Sequence, residues 1–285
     1  MTYTPRAVAG MLGIAPTTLR TWDQRYGLGP SKRTEGGHRR YDEADVEVLR
    51  RMVALTGQGV AAASAAVLAR QEPPARAHSP ISAAEAIQAR RGFLAAAKRL
   101  DEPLMLGLAA KLLTDHGVVS VWESVFVPCL VELGELTAVR GLGVEIEHLA
   151  SGSVLQALRD VPRAVGPGVL AALLSCAPEE QHVLALEALG AALSEEGCQW
   201  RSLGARVPAE ALCDAVTRLR PSVVLVWAHR ADLAELVPLD ELGALPGSLL
   251  AVAGPGWIGL PLPPGVRRPA SLADAVELVL DRVRL

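Results

Sequence analysis

The stretch YTPRAVAGMLGIAPTTLRTWDQRYGL, Tyr3–Leu28, decides the fold of the first part of the chain. Thr4 followed by Pro5 predicts the start of a short helix, because threonine caps helix N-termini and proline suits the first helical turn. Gly13 predicts a turn, and Pro16 predicts a second helix running to about Tyr26. Two short helices joined by a tight turn are typical of a helix-turn-helix.

The second helix carries polar side chains suited to DNA. Leu19 and Trp22 lie three residues apart and predict a buried face. The side chains able to reach phosphates and base edges are Thr17, Thr18, Arg20, Thr21, Gln24 and Arg25. We therefore expect this segment to be the recognition helix.

The next stretch, PSKRTEGGHRRYDEADV, predicts a basic hairpin. Gly36-Gly37 permits a tight tip, and Asp42 is expected to cap a third helix. The cationic residues around the tip are Lys32, Arg33, His38, Arg39 and Arg40. Cations on a hairpin beside a recognition helix are typical of a wing that contacts the phosphate backbone.

In order, spacing and residue type, residues 3–70 resemble the DNA-binding head of the MerR family. The resemblance implies a winged helix-turn-helix domain over residues 1–70 that binds a double-stranded DNA operator as a dimer. It assigns DNA-contact roles to Arg20, Arg25, Arg39 and Tyr41.

Charge and composition fit a DNA-binding head on a separate sensor. The 285 residues carry a net charge of −3, but residues 1–51 hold nine Lys/Arg against six Asp/Glu, so the excess acid lies in the remainder. Neither a leader pattern nor an apolar run of membrane-spanning length is seen, so we expect a cytoplasmic protein without a membrane partner. Four scattered cysteines without a CxxC pair predict buried free thiols.

Seams in the sequence predict a multidomain α and α/β protein. A proline-rich linker is expected at residues 71–82, a helical bundle at 83–165 and an α/β domain at 166–285. In the last part the apolar runs VLAALLS, QWRSLGA, SVVLVWA and SLLAVAG alternate with helical stretches. Such alternation predicts a doubly wound parallel sheet.

Glu180-Gln181-His182 follows the first predicted strand, where ligands of such sheets bind. These residues and the segment GCQWRSLGARVP resemble the cobalamin-binding domain, whose motif has an acidic residue, one position, His, two positions and Gly. Ala185 stands at the glycine. The resemblance implies that His182 is the lower cobalt ligand and that Glu180 orients it. Taken without the resemblance, His182 is a solvated surface residue.

Two positions depart from the cobalamin-binding pattern. Trp227 stands where the family has a small hydroxyl residue, and the later glycine pair appears as Gly254-Pro255-Gly256. The indole of Trp227 either fills the pocket for the cofactor's tail or belongs to the core of a sheet that has lost its ligand.

The helical region resembles the cap of the light-responsive CarH/LitR regulators in VWESVFVPCLVELGELTAVRGLGVEIEHLASG. The resemblance implies that Glu147 and His148 contact the cofactor's upper face; the alternative is a polar pair that stabilises helix packing. The family's Trp and following His correspond to Thr137 and Ala138, which removes the groups of the usual light response.

Together these features predict a transcriptional regulator that is a homo-oligomer, at least a dimer, and whose cobalamin occupancy alters oligomerisation and operator affinity. The alternative is the same architecture with a cobalamin-independent sensor that serves dimerisation, a partner protein or another ligand. A corrinoid methyl carrier is a third hypothesis. The winged helix and the lack of a nucleophile–base constellation argue against an enzyme.

Overall fold

The computed structural model describes residues 2–33, 39–57, 60–70, 78–140, 143–164 and 169–284. They divide into two compact units. Unit 1 contains the described residues up to 70, and unit 2 contains those from His78 onward. The predicted linker is therefore described only over residues 78–82, and the predicted boundary between residues 165 and 166 lies outside the described residues.

Unit 1 is a small helical domain with a three-stranded antiparallel sheet in the order β1-β3-β2. Its elements are β1 (Thr2–Tyr3), α1 (Pro5–Leu12), α2 (Pro16–Tyr26), β2 (Lys32–Arg33), β3 (Arg39–Asp42), α3 (Glu43–Gly57) and α4 (Ala62–Arg70). The predicted caps are confirmed, because Ala7 N–H donates to Thr4 Oγ1 at 3.2 Å and Gly13 is left-handed with φ 63°. The wing strands pair with Lys32 opposite Arg40, whereas the tip, Gly36-Gly37, lies outside the described residues.

The start of α3 confirms the predicted Asp42 cap. Asp45 N–H donates to Asp42 Oδ1 and Asp42 N–H donates to Asp45 Oδ2, each at 3.0 Å. This reciprocal arrangement satisfies backbone donors that the first helical turn leaves free. It also fixes the junction between the wing and α3.

Unit 2 begins with helices that pack around Phe93 and Phe126, both 0% exposed. Its helical elements are α5 (Ala83–Lys98), α6 (Glu102–His116), α7 (Val118–Val121), a π-helix (Trp122–Phe126), α8 (Val127–Arg140) and α9 (Val144–Arg159). Ser82 and Glu85 form a capping box at the start of α5, so the end of the predicted linker already belongs to folded structure.

The rest of unit 2 confirms the predicted parallel sheet. Its elements are β4 (Leu170–Cys176), α10 (Leu184–Glu195), β5 (Gln199–Gly204), α11 (Ala209–Leu219), β6 (Val223–Trp227), α12 (Ala231–Ala234), α13 (Leu239–Ala244), β7 (Leu249–Ala253), a 3₁₀ turn (Pro255–Trp257) and α14 (Leu272–Arg284). The strand order is β5-β4-β6-β7. Cys176 pairs with Trp227, and Trp227 pairs with Ala253. The carboxyl ends of β4, β6 and β7 therefore align.

The bundle and the sheet share one hydrophobic core, which includes Phe126 and Val154 from the helices and Leu174 and Leu189 from the α/β part. Polar contacts also join them. Arg159 pairs with Glu187 at 3.1 Å, Val118 N–H donates to Glu195 at 2.9 Å, and Ala273 N–H donates to Glu123 at 3.1 Å. The two predicted domains thus form one packed body.

Cys129, Cys176 and Cys198 are buried free thiols, as predicted, while Cys213 is half-buried. Burial raises the pKa of Cys129 and of Cys176 to about 12, so both thiols stay protonated at neutral pH. Within the described ranges, no helix is both long enough and apolar enough to cross a membrane.

Candidate functional site

A buried carboxylate and an exposed imidazole lie together in the loop between β4 and α10. Glu180 is 0% exposed, whereas the His182 side chain is 64% exposed. Glu180 Oε1 lies 2.6 Å from His182 Nδ1. The pair that the sequence singled out is therefore in direct contact.

Four donors surround the Glu180 carboxylate. The backbone N–H groups of Gln181 and His182 donate to Oε1 at 2.9 Å, beside the His182 ring, and His229 N–H donates to Oε2 at 2.6 Å. Burial, the largest single influence, raises the pKa of Glu180, but the hydrogen bonds from His182 and His229 together outweigh it and lower the pKa below its usual value. The carboxylate is therefore ionised at neutral pH.

The ionised carboxylate determines the tautomer of His182. Because a carboxylate can only accept hydrogen bonds, the proton of the neutral ring resides on Nδ1. The lone pair is then on Nε2, on an imidazole that is largely open to solvent. This is the arrangement in which a histidine binds a metal while a carboxylate orients it.

A cavity of about 640 Å³ opens at the carboxyl ends of the strands, where α10 lines it but Glu180 and His182 do not. Its walls come from both parts of unit 2: Trp122, Glu123, Val127, Ala185, Leu186, Leu189, Leu225, Trp227, Ala253, Gly254, Pro255, Ile258, Arg268, Pro269, Ala270, Ser271, Leu272 and Ala275. The volume and the mainly apolar lining are typical of small-molecule sites.

Residues at which this sequence departs from the cobalamin-binding pattern line this cavity. Ala185 and Trp227 both line it, and Trp227 Nε1 is buried with no hydrogen-bond partner among the described residues. Gly254 has a φ of 109°, and a Cβ there would lie 2.3 Å from the Ala228 carbonyl oxygen and 3.2 Å from the Trp227 ring. Only glycine therefore lets the chain after β7 lie against Trp227.

Glu147 and His148 lie at the start of α9, and their observed hydrogen bonds stay within that helix. His148 Nδ1 donates to the Val144 carbonyl at 2.9 Å and lies 3.0 Å from Glu147, which also accepts from Ser151 at 2.7 Å. The His148 side chain is 74% exposed. The side chains of Thr137 and Ala138 lie outside the described part of the structure.

In unit 1, the recognition helix presents the expected polar face. Leu19 and Trp22 are buried, whereas Thr17, Arg20 and Arg25 are exposed and Thr18 is half-buried. On the wing, Lys32 is exposed and lies 3.4 Å from Asp42, and Arg40 is half-buried. The Arg33 side chain and His38 lie outside the described part.

Arg39 and Tyr41 have structural roles that the sequence did not indicate. Arg39 pairs with Asp23 of α2 at 2.8 Å, which ties the wing to the recognition helix. Tyr41 is 1% exposed and belongs to the core of unit 1, and burial followed by the nearby Asp23 raises its pKa. A side chain buried to this extent does not reach DNA, so Tyr41 is removed from the DNA-contacting set.

Sequence comparison identifies the class of unit 1. Residues 3–72 match the profile of the MerR HTH family regulatory proteins. The helix-turn-helix, the wing and the basic helix face are therefore those of a MerR-type DNA-binding domain.

Similarity extends through both units. The chain is 33% identical over 269 residues to the HTH-type transcriptional repressor CarH of Myxococcus xanthus, covering 90% of this chain and 88% of that protein. It is 34% identical over 239 residues to the repressor CarA of the same organism, covering 82% and 79%. The chain belongs to this family of MerR-type transcriptional regulators, which agrees with the expectation of a transcriptional regulator.

A solved structure is also similar. The monomethylamine corrinoid protein of Methanosarcina barkeri matches with a TM-score of 0.49 and 14% identity, over 68% of this chain and 98% of that one.

His229 is the site residue that the sequence reasoning missed. It lies two residues after the end of β6, donates its backbone N–H to Glu180, and packs its ring against His182 with 4.6 Å between ring centroids. Its position directly after the apolar run SVVLVWA was the available signal, because such positions lie at the ligand-binding edge of a parallel sheet.

Proposed function

We propose that this chain regulates transcription by binding a double-stranded operator through unit 1 and a corrinoid such as cobalamin through unit 2, with His182 as the lower cobalt ligand. Corrinoid occupancy would alter homo-oligomerisation, and with it operator affinity. We propose a cytoplasmic location for this activity.

The single observation that carries the proposal is the Glu180–His182 pair. A fully buried, ionised carboxylate holds Nδ1 of an exposed imidazole at 2.6 Å and leaves Nε2 free to bind. Burying an ionised carboxylate is unfavourable unless it is hydrogen-bonded. Here three backbone N–H groups and the His182 ring donate to it, so the same carboxylate orders the loop and orients the imidazole. The pair is better explained as a prepared metal ligand.

The residues fit a corrinoid in two respects. A bound cobalamin would supply a cobalt centre able to take an imidazole ligand. His182 offers that imidazole, and Glu180 keeps the proton on its far nitrogen. The apolar cavity of about 640 Å³ at the strand ends would take an apolar portion of the ligand and exclude water from it.

We also propose that Glu147 and His148 contact the upper side of the ligand. The support is the exposure of His148 and the anchoring of its Nδ1 to the Val144 carbonyl, which leaves Nε2 unrestrained. The same bonds stabilise the first turn of α9, so a role in helix packing is the competing explanation.

Control of DNA binding then requires that the corrinoid binds two oligomeric forms of the protein with different affinity. A ligand shifts an equilibrium only by its differential affinity for the two states. We propose that the recognition helix and the wing contact DNA through Thr17, Thr18, Arg20, Arg25, Lys32, Arg33, His38, Arg39 and Arg40. We also propose that the corrinoid favours one oligomer over another. The sign of the regulation follows from which oligomer binds the operator.

The test is direct binding in the dark. Full-length protein would be mixed with adenosyl-, methyl- or hydroxocobalamin, desalted and examined by visible spectroscopy, beside His182→Ala and the control His116→Ala. His116 bonds the Ser79 carbonyl at 2.9 Å and is outside the site. We expect a retained corrinoid whose spectrum changes only in His182→Ala; a colourless wild type after desalting would refute corrinoid binding.

A cobalamin-independent sensor is the second candidate, and the cavity lining favours it. Ala185 and Trp227 line the cavity, and each is larger than the residue of the cobalamin-binding pattern at its position, which reduces the space for a ligand. Operator affinity and oligomeric state that do not respond to any corrinoid would support this candidate. Unit 2 would then serve dimerisation, a protein partner or another ligand.

A further inference from the structure

Two imidazoles stand side by side at the carboxyl ends of neighbouring strands. His182 follows β4 and His229 follows β6, and these strands pair in parallel with Cys176 opposite Trp227. The ring centroids are 4.6 Å apart and the ring planes are tilted by 34°. Both side chains are exposed, so core packing does not account for their contact.

The two histidines are also linked through one buried group. Glu180 accepts the ring N–H of His182 on Oε1 and the backbone N–H of His229 on Oε2, each at 2.6 Å. A carboxylate with 0% exposure and donors on both oxygens has little freedom to move. The carboxylate therefore fixes the backbone of one histidine relative to the ring of the other.

We propose that His229 is a positioning residue for the corrinoid site, so this inference rests on the proposed function. A hydrogen bond to Nδ1 restrains one atom of the His182 ring, but rotation about the final side-chain torsion of histidine is intrinsically soft. The ring of His229 packs on the face of His182 and limits that rotation. It would thereby fix the direction in which the His182 Nε2 lone pair is presented to a ligand.

The proposal assigns the effect to the ring face of His229 and not to its nitrogens. Phenylalanine at this position keeps a flat ring, whereas alanine removes it, and both retain the backbone N–H that Glu180 accepts. Comparison of His229→Phe with His229→Ala thus separates packing from ligation or hydrogen bonding by the His229 side chain. Because the side chain is exposed, neither change is expected to unfold the protein, and thermal melting would verify this.

The experiment measures how firmly His182 holds cobalt. Full-length variants would be loaded with hydroxocobalamin in the dark. Free imidazole would then be titrated in to displace His182, and the displacement would be monitored in the visible spectrum. Groups that orient metal-ligating histidines typically contribute about 10- to 100-fold in affinity. We therefore expect His229→Ala to need about 10- to 100-fold less imidazole, with His229→Phe and the control His116→Ala close to wild type.

A second measurement needs no corrinoid. In the ligand-free protein, NMR relaxation of the His182 ring signals should show an ordered ring in wild type and His229→Phe and a more mobile ring in His229→Ala. The Nδ1–H tautomer should be the same in all three, because Glu180 is retained. The inference would be overturned if His229→Ala gave the same ring signals or the same imidazole competition as the wild type. It would also be overturned if His229→Phe behaved like His229→Ala. If the wild type retains no corrinoid, the proposed function and this inference fail together; the other outcomes bear on His229 alone.

Discussion

Replacing Glu180 by glutamine changes one atom of a fully buried side chain that accepts four hydrogen bonds. An amide accepts on one side only. Its NH₂ group would face either the His229 N–H or the three donors on the other side, so at least one buried donor loses its acceptor. An unsatisfied buried polar group costs about 1–3 kcal/mol, and we expect the free energy of unfolding of unit 2 to fall by that amount.

Neighbouring Glu179 provides a matched control, because its side chain is 60% exposed and pairs with Arg206 on the surface. Exposed ion pairs contribute about 0–1 kcal/mol, so Glu179→Gln should change stability much less. Four of the five tryptophans lie in unit 2, so urea unfolding followed by tryptophan fluorescence reports mainly on that unit. Equal effects of the two substitutions would refute the reasoning.

The Glu180 effect should also depend on pH. The pKa of Glu180 is lower in the folded protein than its ordinary value, so the ionised form stabilises the fold. Its contribution is fully present above the ordinary glutamate pKa and is lost as the pH falls through the folded value. The stability difference between wild type and Glu180→Gln should therefore shrink as the solution is acidified.

Arg39→Ala removes a wing cation and its contact with Asp23. We expect it to weaken binding to every DNA sequence, and to lower by about one the slope of log affinity against log salt concentration. Unchanged affinity in a gel-shift assay at moderate salt would contradict this. Cys176, whose pKa is raised to about 12, should resist iodoacetamide at neutral pH until urea unfolds unit 2; rapid native labelling, read by mass spectrometry, would count against its burial. Gly190→Ala places a Cβ 2.4 Å from the Trp200 ring. We expect this clash to lower the free energy of unfolding by about 1–3 kcal/mol, measured by urea unfolding. If the variant were as stable as the wild type, the Trp200 ring would have to move aside freely.

The sequence predicted correctly those elements whose ends are determined by residues close together in the chain. Thr4-Pro5 and Gly13 define α1 through a cap, a constrained φ and a left-handed residue, all of which act within a few residues. The apolar runs predicted a parallel sheet because both faces are covered by helices. The Glu180–His182 contact was accessible for the same reason, since two residues of a tight loop are neighbours in sequence.

Features that depend on pairing across the fold were not accessible. The contact of His229 with His182 requires the register of β4 against β6, which apolar runs do not specify. The burial of Tyr41 and the pairing of Arg39 with Asp23 depend on how the wing folds back on α2. The family resemblance suggested DNA contact for both wing residues, whereas the tertiary packing that buries Tyr41 is not specified by that resemblance.

The core shared by the bundle and the sheet has a practical consequence for building chimaeric regulators. Phe126 and Leu189 belong to one cluster, and Glu123 accepts the backbone N–H of Ala273 across 150 positions of sequence. Unit 2, if transplanted onto another DNA-binding head, must therefore be moved as one piece spanning residues 78–284. The place to join it is between residues 70 and 78, because a splice inside unit 2 would divide its hydrophobic core.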